Sequence, residues 1–399
     1  MTTKNNIPKG FKDSAVGIIP KEWRVKTLSE CFYISAGRDL QKEYFSKTST
    51  NTHCYPIFSN SLDNKGLYGY TSHPRYKAGS ITITGRGMLG VAEYRKIDFD
   101  AIVRLLVLFP KLNIIGQLIT EYINFKKPFY FECTGVPQLT APQIANIQIP
   151  IPPLEEQKKI AEILSTWDEA IEKQSKLIEK LELRKRGVMQ RLLTGRTRLP
   201  GFTTPWKKVS YSEILKEIKR NMIWNDNEEY DLISVKRRSG GLFHRDKLLG
   251  KDIKTKNLRP ANIGDFLISK MQIVHGASGL VTKEFDGMKI SGSYIALIAK
   301  DKNKTDINFI NWYSKTPHFY HQTYVSSYGV HIEKMTFDLD SFMPMSIKMP
   351  SFTEQKAIVN LLNTIDKEIN IQVKKLETLR TQKRGLMQQL LTGKTRVKI

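Results

Sequence analysis

The chain contains one long segment twice. Residues 151–198 align without a gap to residues 349–396, at an offset of 198 in a chain of 399 residues, and roughly half of the aligned positions are identical. The identical runs include Glu156-Gln157-Lys158 with Glu354-Gln355-Lys356, and Leu192-Leu193-Thr194-Gly195 with Leu390-Leu391-Thr392-Gly393. The repeat predicts two half-molecules in tandem, each consisting of a globular segment followed by one copy of the repeat.

Each copy predicts one long helix. Proline stands just before it (Pro152, Pro350) and glycine just after it (Gly195, Gly393), as is typical of helix ends. Between them, residues recur at alternating spacings of four and three, the 3.5-residue period of a left-handed coiled coil. These seam residues are Ile160, Leu164, Trp167, Ile171, Gln174, Ile178, Leu181, Lys185, Val188 and Leu192 in the first copy, and Ile358, Leu362, Ile365, Ile369, Gln372, Leu376, Leu379, Lys383, Leu386 and Leu390 in the second.

Polar residues interrupt the seam at the same places in both copies. Gln174 corresponds to Gln372, and Lys185 corresponds to Lys383. A polar seam residue lowers stability but fixes register and partner, and two unrelated amphipathic helices would not share such positions. We therefore expect the helices, each about 58 Å long, to pair within the chain. Antiparallel pairing would give a pseudo-twofold axis.

The segments before the helices predict two mixed α/β domains. The fold class is thus α+β, with globular domains at 1–150 and 199–348 and helical spacers at 151–198 and 349–399. Both domains open with a proline and tryptophan signature (Pro20 with Trp23, Pro205 with Trp206). The alternation at residues 80–84 predicts a half-buried strand. Final strands are predicted at 147–151 and 345–349.

The charge indicates a polyanionic partner. The chain has 63 Lys and Arg against 39 Asp and Glu, a net charge of +24. The two repeat copies carry +8 of this charge, so +16 lies mainly on the domains. Nucleic acid is favoured over a membrane surface, and no apolar run approaches the roughly 18 residues needed to cross a bilayer.

Catalytic motifs are missing from the sequence. It has neither an adenine-methylation motif nor a glycine-rich cofactor loop, and Gly393-Lys394-Thr395 lacks the rest of a P-loop. Cys31, Cys54 and Cys133 have no metal-ligand spacing, and Glu155 and Glu156 are expected to serve the dipole of a helix N-terminus. We expect no catalytic residue, metal site or cofactor on this chain.

Candidate DNA contacts are basic or amide side chains in the domains. Lysine and arginine neutralise phosphates, and arginine, lysine, asparagine and glutamine read base edges. The candidates are Arg38, Arg75, Arg86 and Arg104 in the first domain, and Lys236, Arg237, Arg238, Lys270 and Gln272 in the second. Arg86 stands out because the glycines beside it allow close backbone approach.

The whole chain resembles the specificity subunits of type I restriction-modification systems. Each helix is led by Pro-x-x-x-Glu-Gln-x-x-Ile and closed by Lys-Arg-Gly-x-Met-Gln-x-Leu-Leu-Thr-Gly. The resemblance implies that each domain reads one half of a bipartite double-stranded DNA target. It implies that the helices set the spacer length and dock two methyltransferase (modification) subunits, through which restriction subunits join.

The resemblance also implies where the chemistry lies. S-adenosylmethionine, ATP and Mg would be bound by the partner subunits, in the cytoplasm of a bacterial or archaeal cell. The two domains differ strongly from each other, so no base-reading residue is carried over by motif.

Other functions fit parts of the pattern. A recognition subunit of a type IIG or IIB-like system would share the layout, and its partner genes would distinguish it. A coiled-coil scaffold that does not read DNA would not need the charge on the domains, and it would show no salt-dependent DNA binding. A self-contained enzyme is disfavoured by the missing motifs.

Overall fold

The computed structural model describes residues 7–129 and 137–398. It divides into two compact units. The first comprises residues up to Lys176 together with those from Val373 onward, and the second is Leu177–Gln372. Each unit therefore contains one globular domain, half of the first long helix and half of the second.

The first unit has a domain of short strands and three short helices. The strands are β1 (Phe11–Lys12), β2 (Ile19–Pro20), β3 (Arg24–Thr27), β4 (Phe32–Ala36), β5 (Phe45–Ser46), β6 (Tyr55–Phe58), β7 (Leu67–Thr71), β8 (Ile81–Ile83), β9 (Ala92–Tyr94), β10 (Asp100–Ala101), β11 (Leu106–Pro110) and β12 (Gln148–Ile151). The helices are α1 (Leu28–Cys31), α2 (Gly116–Lys126) and α3 (Ala141–Ala145). Strand β12 pairs antiparallel with β3 and leads into the long helix α4 (Leu154–Leu193).

The second domain follows α4. Its strands are β13 (Lys207–Ser210), β14 (Leu215–Glu217), β15 (Glu229–Val235), β16 (Leu242–Leu249), β17 (Leu258–Pro260), β18 (Phe266–Ser269), β19 (Ser278–Leu280), β20 (Lys289–Ser291), β21 (Tyr294–Ala299), β22 (Ser327–Tyr328), β23 (Thr336–Phe337) and β24 (Ser346–Met349). Its helices are α5 (Tyr211–Ile214), α6 (Ile307–Tyr313), α7 (Pro317–Val325) and α8 (Leu339–Phe342). Strand β24 pairs with β13 and leads into α9 (Phe352–Leu390).

The two domains share a sheet topology. The first has a sheet of order β4-β11-β8-β9, and the second has the corresponding order β14-β21-β18-β19. A second sheet in each is built on an antiparallel hairpin, β6 with β7 or β15 with β16, to which one strand adds in parallel, β10 or β20. The internal repeat thus extends to the domains, whose sequences differ strongly but share the proline and tryptophan signature.

The long helices pair, as the heptad pattern predicts, and their direction is antiparallel, as a pseudo-twofold axis requires. In the first unit, Ile160 and Leu164 near the start of α4 share a core with Met387 and Leu390 near the end of α9. In the second unit, Leu192 near the end of α4 shares a core with Ile358 near the start of α9. Every seam residue is buried or half-buried. The α+β fold class and the paired helices are confirmed.

The strand predicted from the alternation at residues 80–84 is present as β8, but the prediction that it is half-buried is wrong. All five residues are buried, and β8 has Ile81 and Ile83 in the main core of the domain. The polar face is covered by Arg95, whose Nε donates to Thr82 Oγ1 at 2.9 Å and whose guanidinium lies 3.6 Å from the ring centre of Phe58. A buried arginine on threonine hydroxyls thus produces the same alternation as exposure to water.

Candidate nucleic-acid interface

Three of the four candidate arginines in the first domain lie on loops that meet. Val103 N–H donates to the Arg38 carbonyl at 3.2 Å, and Arg104 N–H donates to the Gly37 carbonyl at 3.1 Å. Asn60 joins the Arg86 loop to this pair, because its Oδ1 accepts from Gly85 N–H at 2.7 Å and its Nδ2 donates to the Val103 carbonyl at 2.7 Å. Arg38, Arg86 and Arg104 are all exposed. We call them the first-domain cation group.

The backbone beneath this group adopts an unusual conformation. Val103 and Arg104 have φ angles of 56° and 59°, in the left-handed region that β-branched residues rarely occupy. Such strain is retained where the surrounding contacts enforce it, often at functional sites. The bonds from Asn60 and from the Arg38 loop supply that enforcement here. No local sequence pattern marks Asn60, because its role depends on partners 25 and 43 residues away in the chain.

Arg75 has a different environment from the other three arginines. Its Nε and Nη2 donate to the two carboxylate oxygens of Asp100 at 2.7 and 2.8 Å, and Nη2 also lies 3.3 Å from the Asp39 carbonyl. Asp100 is buried. A bidentate pair with a buried carboxylate holds the guanidinium within the fold, which favours a structural role for Arg75 over a base contact.

In the second domain, all five candidates lie on two loops that are joined by backbone hydrogen bonds. Arg238 N–H donates to the His275 carbonyl at 2.6 Å, and Ser239 N–H donates to the Gly276 carbonyl at 2.9 Å. Lys236, Arg237 and Arg238 are exposed, whereas Lys270 and Gln272 are half-buried. Lys236 Nζ also lies 5.5 Å from the centre of the Phe243 ring. The loop after β18 therefore supports the loop that carries the three exposed cations.

An exposed apolar hairpin lies beside these loops, and sequence analysis missed it. Strands β22 and β23 enclose residues 329–335, and the Phe337 N–H donates to the Lys270 carbonyl at 2.9 Å. The exposed fractions of Tyr328, Val330 and Ile332 are 66%, 95% and 50%. Apolar side chains at a hairpin tip can contact base edges or methyl groups in a groove. Tyr328, Val330 and Ile332 alternate with Gly329 and His331, and this pattern does not distinguish an exposed hairpin from a half-buried strand.

The residues that are identical in the repeat form a joint between helix and domain. In the first unit, Arg396 Nε and Nη2 donate to the carboxylate of Glu156 at 2.7 and 2.9 Å, and the Trp23 indole donates to the same carboxylate at 2.9 Å. Glu156 was expected to serve the helix dipole, but its side chain is 1% exposed and paired. The chain after α9 is thereby fixed to the start of α4.

The second unit has the same joint. Glu354 takes the place of Glu156, and Arg198 takes the place of Arg396. Arg198 donates to both oxygens of Glu354 at 2.6 and 2.7 Å, and the Trp206 indole donates to Glu354 at 3.2 Å. The glycine after each helix, at φ near +70°, lies against the tryptophan, Gly393 on Trp23 and Gly195 on Trp206. A Cβ added at Gly393 would clash with the Pro20 ring and lie 3.2 Å from Trp23, and one added at Gly195 would lie 3.3 Å from Trp206, so space as well as backbone conformation favours glycine.

The neighbouring glutamine orients each domain on its helix. Gln157 Oε1 accepts from Ile115 N–H at 3.0 Å, just before α2, and its Nε2 donates to the Pro152 carbonyl at 2.8 Å. Gln355 makes the equivalent bonds with Asp306 N–H at 2.9 Å and the Pro350 carbonyl at 3.0 Å. The Glu-Gln pair of the repeat therefore ties each domain to its helix.

The lysines of the seam also have defined partners. In the first unit, Lys383 Nζ lies 2.6 Å from Asp168 of α4 and 2.8 Å from Glu121 of α2. Burial, with the Asp168 carboxylate close by, raises the pKa of Glu121 to about 7 even though Lys383 is adjacent. In the second unit, Lys185 pairs with Asp366, and burial lowers the pKa of Lys315, which lies 4.1 Å from the ring centre of Trp312.

We expect Glu156→Ala to destabilise the first unit. It would leave the fully buried indole N–H of Trp23 without its acceptor, at a cost of about 1–3 kcal/mol, and each kcal/mol lowers the melting temperature by roughly 2–4 °C at this domain size. Glu155→Ala is the matched control, because Glu155 is exposed and pairs only with Lys158 one turn away. Glu156→Gln should fall between the two. Equal melting temperatures for Glu156→Ala and Glu155→Ala would contradict the stabilising role of the joint.

Metal ligands, cysteines and membrane-spanning helices can be assessed in residues 7–129 and 137–398. Within these ranges, no group of three or more His, Cys, Asp or Glu side chains is placed to hold a metal ion. Cys31 is buried and Cys54 is exposed, and Cys133 lies outside the described residues. Of the described helices, none combines the length and apolar character needed to span a membrane.

Comparison with known proteins identifies similar sequences and folds. The family model described as the type I restriction modification DNA specificity domain matches residues 20–183. A putative type I restriction enzyme MjaX specificity subunit of Methanocaldococcus jannaschii is 25% identical, over 98% of this chain and 97% of that protein. A putative type I specificity subunit of Mycoplasma pneumoniae is 32% identical over 30% of this chain and 33% of that protein.

Solved structures extend the similarity to the fold. The crystal structure of the S subunit of a type I restriction-modification system from M. genitalium has a TM-score of 0.62 at 14% identity, covering 100% of both chains. A chain from a type I restriction-modification structure that describes complex assembly has a TM-score of 0.56 at 17% identity, covering 94% of this chain and 99% of that one. The fold is thus similar to these structures over essentially the full length of the chain.

Proposed function

Because the chain has the sequence signature and the fold of type I restriction-modification specificity subunits, we propose that it is the DNA-recognition subunit of such a system. Each globular domain reads one half of a bipartite DNA target. The paired helices hold the two readers and dock the methyltransferase subunits, which carry the catalytic residues and bind S-adenosylmethionine. Restriction subunits, which use ATP and Mg, join through the methyltransferase subunits.

One observation carries this proposal. The loop after the third strand of the main sheet bears a DNA-binding candidate in both domains, Arg86 after β8 and Lys270 with Gln272 after β18. The two domains have little sequence in common, yet their equivalent loops carry groups that contact phosphates and base edges. A scaffold that only dimerised its partners would not need this equivalence.

The helices offer a surface for a protein partner. In the second unit, an open groove of about 600 Å³ is lined by Leu183, Gly187, Val188 and Leu361. Leu183 and Leu361 are 64% and 37% exposed, although both lie on paired helices. Exposed apolar side chains around a groove are typical of a protein-protein contact, and we assign this surface to a methyltransferase subunit.

Reconstitution tests the proposal. We expect the purified chain to bind DNA with a strong dependence on salt but to transfer no methyl group from S-adenosylmethionine. Addition of the cognate methyltransferase subunit should produce adenine methylation at a bipartite sequence, detected by long-read sequencing of the modified DNA. Methyl transfer by the isolated chain, or methylation without sequence preference by the complex, would contradict the assignment.

A further inference from the structure

Arg237 is held in place on both sides in the second domain. Its Nε donates to Gln272 Oε1 at 2.5 Å, and its Nη2 donates to Glu333 Oε2 at 2.9 Å. The second oxygen of Glu333 lies 3.2 Å from His275 Nε2. Arg237 and Glu333 are 50% and 59% exposed, so the arrangement faces solvent. Three separate segments, the 236–240 loop, the loop after β18 and the β22–β23 hairpin, converge on one guanidinium.

This arrangement leaves one edge of the guanidinium available. Of its five N–H groups, the one on Nε and one on Nη2 are used by Gln272 and Glu333. Both N–H groups of Nη1 and one of Nη2 have no partner among the residues that the structure describes, and donors on adjacent Nη atoms form a planar fork. Such a fork matches the O6 and N7 acceptors that guanine presents in the major groove.

The support beneath Arg237 is rigid. The 236–240 loop is bound to the His275 and Gly276 carbonyls, and the Ser239 hydroxyl lies 2.7 Å from the Tyr320 hydroxyl. Arg238 and Ser239 both have a φ of 56°, a conformation these contacts enforce. Preorganisation of this kind lowers the entropic cost of placing a long side chain on a base.

The described residues of the first domain show no equivalent arrangement. None of Arg38, Arg86 and Arg104 forms an ion pair with any residue that the structure describes, so the first-domain cation group is free to meet phosphates. A carboxylate in a DNA-facing surface repels phosphate, and at 59% exposure its pair with arginine contributes little stability. Glu333 therefore weakens DNA binding by repelling phosphate. Its benefit would be that it orients Arg237.

We propose that Arg237 reads a guanine in the half-site of the second domain, with Gln272 and Glu333 as positioning residues. The inference rests on the proposed function and assigns a base to one of its readers. Glu333 fixes the direction of the guanidinium fork and discourages its use on a phosphate. The exposed hairpin tip brings Glu333 to the site, so that one loop determines how another reads DNA.

The test uses the complex reconstituted with its methyltransferase subunit and maps the methylated sequence for each variant. Arg237→Lys keeps the charge but loses the planar fork. We expect it to lose preference for guanine at one position of the second half-site by roughly 5- to 150-fold, the range of a bidentate base contact. The first half-site should not change.

Glu333→Gln separates positioning from stability. It should reduce discrimination at the same position while it raises affinity for unrelated DNA, because one negative charge is removed. Lys334→Ala is the matched control, because Lys334 is exposed and adjacent to Glu333. This variant should weaken binding to all DNA sequences alike. Melting temperatures of all three variants should equal that of the wild type.

Two results would overturn the inference. The second half-site could contain no G·C pair, or Arg237→Lys could leave the base preference intact at every position. In both cases a bipartite methylated sequence would still support the proposed function. Methylation with no bipartite sequence would overturn both.

Discussion

Replacement of residues 1–150 by the first domain of another specificity subunit is expected to change one half-site of the methylated sequence completely and to leave the other unchanged. The reason is that each unit holds its own domain through its own joint. The contacts of Trp23 with Glu156, and of Ile115 with Gln157, lie within the first unit. The second unit has separate equivalents at Glu354 and Gln355.

The joint determines how such a chimera should be built. The incoming domain must supply a tryptophan to bond Glu156 and must present a backbone N–H to Gln157. A glutamate at the position of Glu121 would preserve the contact with Lys383. As a matched control, a second chimera should lack only the tryptophan. It should show a lower melting temperature with the same new half-site.

The readout is the methylated sequence of each reconstituted complex. A chimera that assembles normally but alters both half-sites would show that the domains do not read independently. A chimera that alters neither half-site would show that residues outside 1–150 recognise the DNA. The difference between half-sites is all-or-none, so no measurement of affinity is needed to decide it.

The helices could be predicted from sequence because their signal is local and repeated. The spacing of the seam, the prolines before it and the glycines after it gave the extent of α4 and α9 to within one or two residues. The antiparallel direction, predicted for its pseudo-twofold axis, is accompanied in the structure by pairs of Asp168 with Lys383 and of Asp366 with Lys185, all four at identical positions of the repeat.

The candidate site could be predicted only in part, because its chemistry depends on distant partners. Arg75 and Arg86 were both candidates from sequence, yet Arg75 is bound by Asp100, 25 residues away, and Arg86 is exposed. Glu333 lies 96 residues from Arg237 and is an acidic residue, which a search for basic groups passes over. The base-reading assignments of both domains stay predictions.

The last expected result concerns the length of the helices. Seven residues inserted after Gln174, with seven more after Gln372, should lengthen the preferred DNA spacer by up to three base pairs. Seven residues keep the 3.5-residue period of the seam and add about 10 Å of rise. DNA advances by about 3.4 Å per base pair.

These insertion points lie away from the joints and from the lysine pairs of the seam, and an insert after Gln174 separates the exposed pair of Lys176 with Glu172. The boundary between the units falls after Lys176 in α4 and after Gln372 in α9. The inserts therefore leave four ion pairs intact. These are the joints of Glu156 with Arg396 and Glu354 with Arg198, and the seam pairs of Asp168 with Lys383 and Asp366 with Lys185. A single insert would leave one helix with seven residues that have no counterpart, so both are needed.

The controls separate length from damage to the seam. Four residues in place of seven shift the heptad phase and bring polar residues onto the seam, so that variant should fail to assemble rather than change spacing. The seven-residue variant should have lower affinity for the original target, because three extra base pairs also turn one half-site by roughly 100° about the DNA axis. If it assembles fully and still methylates the original spacing, the helices only dock the methyltransferase subunits and do not measure DNA.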